Sequence, residues 1–374
     1  MLLTLVLALT VFLAIFFRRK DKSKLPPGPP CLPILGCLPF VNTKKGLFSW
    51  TLDHAVTKHT LATVMLGPKK IFVINDFQLA KELFGKEEFS GRGVSNFHLT
   101  HRFFNGKPRG IVNTEGKHWV TQRRFSLKTL KDFGFGKQSI EEAINIEVDQ
   151  VVSKFLEKDE DTLLSSDFNV PMINILWQMV AGKRFTEEDE EGMEVVESVN
   201  ELFKIGVFLV LIPLAVLKMF PKLAGYEARV HIYEVQKKYI MKEIEKHQET
   251  IDPEVPRDFI DVYLNEIAKD VEDVEDNMFN KEDLAISMMD FLAAGTETSS
   301  TTLKWLVLYL TINQETQEKY EVEIFFNNLF YPNILCFRCR EEISKALGTS
   351  ACKVSDMTRL PFIQVRKVLV FKGW

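Results

Sequence analysis

The chain has 374 residues, 46% hydrophobic and 26% charged, which leaves room for one large domain or two ordinary ones. Its net charge of −4 argues against a nucleic-acid binder, which would normally show a basic face. Five cysteines at irregular spacing (Cys31, Cys37, Cys336, Cys339, Cys352) do not form a secreted disulfide framework and fit a mainly reduced compartment. Thirty phenylalanines suit a sizeable core, an apolar ligand cavity or a membrane-facing patch.

Residues 1–17 hold an uncharged, mainly apolar run from Leu2 to Phe17, closed by Arg18, Arg19 and Lys20. A cleaved signal peptide carries its positive charge before the apolar core. Here the charge follows, so the run reads as a retained transmembrane anchor, with residues 18 onward in the cytosol. Residues 18–45 form a basic and Pro-rich hinge. Pro26, Pro27, Pro29 and Pro30 stiffen it, either as a plain linker or as a spacer that sets a catalytic domain at a fixed height above the membrane.

From 46 onward the pattern is mainly α with a small β component. Residues 62–76 hold two β-rich runs around Gly67-Pro68-Lys69-Lys70, a hairpin signal. A helix over 76–86 follows, capped by Asp76 and ended near Gly85. Residues 89–100 read as a loop. The stretches 139–158 and 226–249 have amphipathic helical spacing. The apolar stretch 204–220, with Pro213 inside it, is either core or a membrane-dipping patch. In 115–137, Trp119 and Arg123 lie four apart on one helical face. An indole donor beside a guanidinium makes a carboxylate clamp; the competing reading is a helix packed on its Trp with Arg in solvent.

The stretch "MMDFLAAGTETSSTTLKWLVLYL" (288–310) is a helix with a polar knot at its centre. A glycine there costs about 1 kcal/mol against alanine, and unpaired buried hydroxyls or carboxylates cost more. Something must compensate.

Taken together these pieces resemble the microsomal cytochrome P-450 family, the animal family-2-like haem-thiolate monooxygenases. The matching features are the anchor with Arg18-Arg19-Lys20, "PPGPP" and "GIVNTEGKHWVTQRRFSLKTLKDFGFGK" (110–137). "RDFIDVYLNEI" (257–267) and "FLAAGTETSSTTLKW" (291–305) follow in order. The resemblance implies a cytochrome P-450 fold over 46–374, preceded by a single transmembrane helix, in the endoplasmic reticulum membrane with the catalytic domain cytosolic. It implies haem as cofactor, electrons from NADPH through a reductase, and a lipophilic small-molecule substrate of xenobiotic, steroid or fatty-acid type. By the same resemblance, Trp119 and Arg123 hold a haem propionate. Ala294 and Gly295 leave room over the iron, Thr298 hydrogen-bonds bound oxygen, and Glu297 helps to deliver protons. His118 is either a further contact to a propionate or a surface histidine, and the surface reading is preferred.

The resemblance breaks near the carboxy terminus. The family's Phe-x-x-Gly-x-Arg-x-Cys-x-Gly loop does not occur, and none of the five cysteines sits in that context. No metal-ligand set replaces it; Cys336 and Cys339 are a lone C-x-x-C. Removing 320–338 joins "ETQEK" to "CREEISKALG" in the family pattern, with a splice donor encodable at Lys319-Tyr320-Glu321 and an acceptor at Phe337-Arg338. The expectation is retained-intron sequence at 320–338 and 365–374, a fold lacking its haem-ligand region, and weak or no haem uptake. The alternatives are a non-catalytic membrane-anchored isoform that binds lipophiles or the reductase, and a non-functional fragment.

Overall fold

The computed structural model describes residues 25–32, 35–40, 50, 59–67, 69–92, 96–134, 140–156, 168–204, 214–222, 225–269 and 278–313. The anchor 1–17, Cys336, Cys339, Cys352 and the segments 320–338 and 365–374 lie outside these residues. Among the described residues, no helix is long and apolar enough to cross a membrane. Those up to Arg92 form one compact unit and those from Asn96 onward another.

The first unit contains the hairpin the sequence announces. Strands β1 (Leu61–Leu66) and β2 (Lys69–Ile74) pair antiparallel, with Leu66 opposite Lys69 and Leu61 opposite Ile74. Ala62, Val64 and Leu66 of β1 are buried. Helix α1 (Phe77–Phe84) follows. The Asp76 side chain caps it by accepting from the Leu79 N–H at 2.7 Å, and Gly85 ends it. Cys31 and Cys37 are joined as a disulfide, a pairing the sequence reading did not anticipate.

The second unit is helical. Helix α2 (Asn96–His101) occupies part of the stretch read as a loop. The correction has a physical cause. Phe97 is buried, with ring contacts to His101, Tyr226 and Tyr233, and burying that ring orders the segment. Next come α3 (Gly116–Asp132), α4 (Glu141–Leu156), α5 (Asn169–Ala181), α6 (Glu190–Lys204), α7 (Leu214–Met219), α8 (Tyr226–Thr250), α9 (Phe259–Lys269) and α10 (Lys281–Ile312). Helices α4 and α8 coincide with the amphipathic stretches 139–158 and 226–249 to within two residues. In the described part of 204–220, Leu217 is core while Met219 and Phe220 are exposed.

The centre of the unit is α10, packed against α5, α6, α8 and α9. The Asn280 side chain starts it by accepting from the Asp283 N–H at 2.9 Å. Glu282 and Asp283 in the first turn complement the positive end of the helix dipole. From Asp283 to Asp290 every residue is buried. Trp177 of α5 stacks on Phe185, with ring centroids 5.2 Å apart, and Val195, Val199, Ile240 and Ile244 of α6 and α8 complete the core beside it. Fully burying each such side chain contributes about 1.5–3 kcal/mol.

Candidate functional site

The polar knot of α10 largely satisfies itself. Thr296, fully buried, donates its hydroxyl to the Leu292 carbonyl at 2.7 Å. Thr298 donates to the Ala294 carbonyl and Thr302 to the Thr298 carbonyl, each at 2.7 Å. Ser300 donates to the Glu297 carbonyl at 3.3 Å, and the Thr301 hydroxyl donates to Glu297 Oε1 at 2.9 Å. Hydroxyls in a helix can bond back to the preceding turn in this way. The compensation the sequence called for is therefore mostly local.

Gly295 has a further reason to be glycine. A Cβ at that position would come within 2.7 Å of Leu176 Cδ2 on α5. The bare backbone lets two core helices approach closely. Ala294 and Thr298 point the other way, on an exposed stripe that continues to Trp305 and Leu308. Glu297 is half-buried beside that stripe and bonded to Thr301 rather than Thr298.

On α3 the Arg123 guanidinium lies over the Trp119 ring, 5.6 Å from its centroid. Arg123 is exposed and Trp119 half-buried, so the cation is backed by an indole and open to an anion. Among the described residues no ion pair occupies Arg123, and no hydrogen bond or ring contact joins this pair to the Ala294–Thr298 group.

A second set of residues was not foreseen as a site. Asp283 and Asp290 are seven apart on α10, so they share a face, and they are 0% and 2% exposed. Asp290 accepts from the Arg102 guanidinium, from the Ile111 N–H at 2.7 Å and from the Val112 N–H at 3.0 Å. Arg102, buried in turn, also donates to the Asn113 side chain. Asp283 accepts from Arg109 Nη1 at 2.7 Å and the Gly110 N–H at 3.2 Å, and its Oδ1 lies 2.8 Å from His118 Nε2. Burial alone would raise the Asp283 pKa. The hydrogen bond and charge of His118, the Gly110 amide and the Arg109 charge outweigh it and hold the carboxyl below its ordinary value.

His118 is therefore no free surface histidine. Gly110, at φ +76, is required here because a Cβ would meet Asp290 Oδ2 at 2.6 Å and Ile286 Cγ2 at 2.7 Å. The clue available in the sequence was two acids seven apart bounding a largely apolar stretch of the helix. The tertiary fold alone selects Arg102, Arg109 and His118 as their partners. The two carboxylates tie the whole 102–118 segment, and with it the start of the clamp helix, to α10.

The Cytochrome P450 family model matches residues 26–325, a stretch that takes in both α3 and α10. The chain belongs to the cytochrome P450 family. It is 32% identical to farnesoate epoxidase of Bombyx mori over 338 residues, 87% of this chain and 66% of that protein. It is 33% identical to cytochrome P450 2C25 of Mesocricetus auratus over 334 residues, again 87% of this chain and 66% of that protein. Against cytochrome P450 2C29 of Mus musculus the identity is 30% over 371 residues, 96% of this chain and 70% of that protein. The chain thus spans 66% of the length of the first two relatives.

The described residues fit part of the cytochrome P450 prosthetic group. The open Arg123–Trp119 pair suits a carboxylate, and the small Ala294 beside Thr298 leaves the α10 stripe clear for a flat apolar partner. An axial thiolate is not among them, since Cys31 and Cys37 are bonded to each other.

Proposed function

We propose that this chain comes from a haem-dependent monooxygenase of lipophilic small molecules. The observation that carries the reading is the α10 stripe. Ala294 and Thr298 are exposed together on a helix whose other sides are packed, and Glu297 stands half-buried beside them. Arg123 and Trp119 would hold the propionates, Ala294 would bound the space over the porphyrin, and Gly295 would keep α10 tight on α5. Bound haem supplies dioxygen activation.

What this chain adds is control of protons and water. The Thr298 hydroxyl donates to the Ala294 carbonyl, so its oxygen is free to accept, and rotation of the hydroxyl turns it into a donor toward the stripe. Glu297, accepting from Thr301, is a carboxylate within the same turn that can take up and release a proton. Phe291, Trp305 and Leu308 give the stripe an apolar surface that a flat apolar group would cover.

The remaining assignments follow the same reading. Residues 1–17 anchor the protein in the endoplasmic reticulum membrane, 18–45 form the hinge, and 46–374 are an incomplete cytosolic catalytic domain, served in the whole enzyme by NADPH through a reductase. The Bombyx mori relative is a farnesoate epoxidase, and oxygenation of a small organic molecule is the reaction type proposed for this chain. The 374 residues by themselves contain no cysteine in the family's haem-ligand context. That observation favours a second reading for this stretch alone, a membrane-anchored binder of lipophiles or of the reductase, or a fragment without activity.

The deciding measurement is the reduced, carbon monoxide-difference spectrum of two proteins: these 374 residues, and residues 1–319 joined to the genomic continuation that carries the family loop. The expected result is no thiolate-type band for the first and a full band, with oxygenation of apolar compounds, for the second. A full band from the 374 residues would overturn the incompetence of this stretch. Its absence from the completed chain would overturn the monooxygenase reading.

A further inference from the structure

The sequence "RDFID" (257–261) takes no part in the site above, yet it builds a charged junction between the end of α8 and the start of α9. His247, 8% exposed, is at its centre. Its Nδ1 lies 2.8 Å from the Glu243 carbonyl oxygen and its Nε2 2.8 Å from Asp258 Oδ2. A carbonyl can only accept. Asp258 is an acceptor too: its Oδ1 takes the Asp261 N–H at 3.0 Å, at a helix start where the dipole favours a carboxylate. A neutral imidazole has one N–H and would turn a lone pair onto one of these two oxygens. The ring that fits both is the imidazolium.

The charged groups around it are otherwise paired among themselves. On α8, Glu243 is held by Lys246 at 2.7 Å and by Lys183, from the turn after α5, at 2.8 Å. Before and within α9, Arg257 clamps Asp261 through Nε at 2.6 Å and Nη2 at 2.9 Å. Asp258 has His247 as its ion-pair partner. Gly182, at φ +62, passes so close to Asp258 that a Cβ would sit 3.1 Å from Oδ2. The carboxylate is thus walled in by backbone and one cation.

We propose that the α8–α9 junction is a proton-operated latch, closed while His247 is an imidazolium and released when the ring loses its second proton. Burial by itself lowers the pKa of His247, but the Asp258 hydrogen bond and charge, the Glu243 carbonyl and the Asp261 charge outweigh it, and the net shift is upward from 6.5. A base whose folded pKa is raised contributes stability that is complete below its unfolded pKa and lost as pH rises through the folded one. The latch is therefore shut in mild acid and opens on the alkaline side of 6.5. Its release reaches the candidate site through Phe259, the residue after Asp258. That ring packs edge-on against Phe291 of α10 at 5.2 Å and against Phe125 of α3 at 6.1 Å.

The test uses the full chain in detergent micelles, with two readouts from pH 6 to 8.5. One is the ring nitrogen NMR titration of His247, assigned by its loss in His247→Gln. The other is the rate of limited proteolysis within 251–257, normalised to the urea-unfolded chain at each pH. Expected for wild type are imidazolium signals with a midpoint above 6.5, and cleavage that quickens by up to about tenfold per pH unit through that midpoint. His247→Gln, which is neutral, cleaves fast and without pH dependence. If that variant does not fold, Asp258→Asn replaces it, with the His247 midpoint falling to 6.5 or below. A wild-type midpoint at or below 6.5, or one cleavage profile shared by wild type and variant, overturns the latch.

Discussion

The two halves of α10 meet their polar requirements by opposite means. In the first half, Asp283 and Asp290 are buried and, apart from the local Asn280 side chain on Asp283, depend on groups more than 160 residues away, Arg102, Arg109, His118 and three backbone amides. In the second half, Thr296, Thr298, Ser300 and Thr302 bond to carbonyls of their own helix, and one face stays open. The first half is finished by the fold and serves as an anchor for the 102–118 segment. The second packs on α5 on its buried side, while its open face has its hydroxyls bonded within the helix and is left for a partner. Removing a partner should cost much in the first half and little in the second.

Asp290→Ala is the strongest way to break that contrast. It leaves the buried Arg102 cation and the part-buried Ile111 and Val112 amides without their acceptor, and loss of one member of a buried pair costs about 3–5 kcal/mol. Urea unfolding followed by far-ultraviolet circular dichroism should show it; a loss under about 1 kcal/mol would mean that Arg102 reaches water and that this half is not an anchor. Gly110→Ala comes next, at about 1–3 kcal/mol, because a side chain would have to adopt φ +76 against the Asp290 carboxylate. The same assay applies, and a neutral result would show the segment free to shift away from α10.

Acid sharpens the comparison further. The Asp283 pKa lies below its ordinary 3.8, so its contribution is present above that value and disappears as pH falls through the lower, folded one. Wild type should lose stability more steeply than Asp283→Asn below pH 3.8, and identical acid-unfolding curves would refute the role given to His118 and Arg109. The smallest effect is expected for Thr298→Val, which removes an exposed hydroxyl bonded to its own helix. Thermal stability should change by about 0.5 kcal/mol or less. In a completed, haem-bearing chain the same substitution should instead divert oxygen consumption from product to peroxide; unchanged coupling would remove Thr298 from proton handling.

Local signals accounted for a good deal of this. Asp76 and Gly85 announced the ends of α1, the Gly-Pro turn announced the hairpin, and apolar periodicity placed α4 and α8 almost to the residue. Short-range chemistry decides such features: a cap, a turn and a stripe each need only a few neighbours in the chain. The order of motifs was likewise sufficient to place the chain in its family. The Trp119–Arg123 pair was legible because four residues make one helical turn.

What the tertiary structure alone decided lies in contacts distant in sequence. Phe97 turned an expected loop into α2 by entering a cluster with residues of α8. His118, read as a surface histidine, became the partner of a buried carboxylate 165 positions later. Gly295, read as room for a ligand, also proved to be the point where α10 meets Leu176. A buried charge must be neutralised by whatever cation the fold brings within about 3 Å. Helix periodicity says that Asp283 and Asp290 share a face, but only the packed chain says which arginines and histidine wait there.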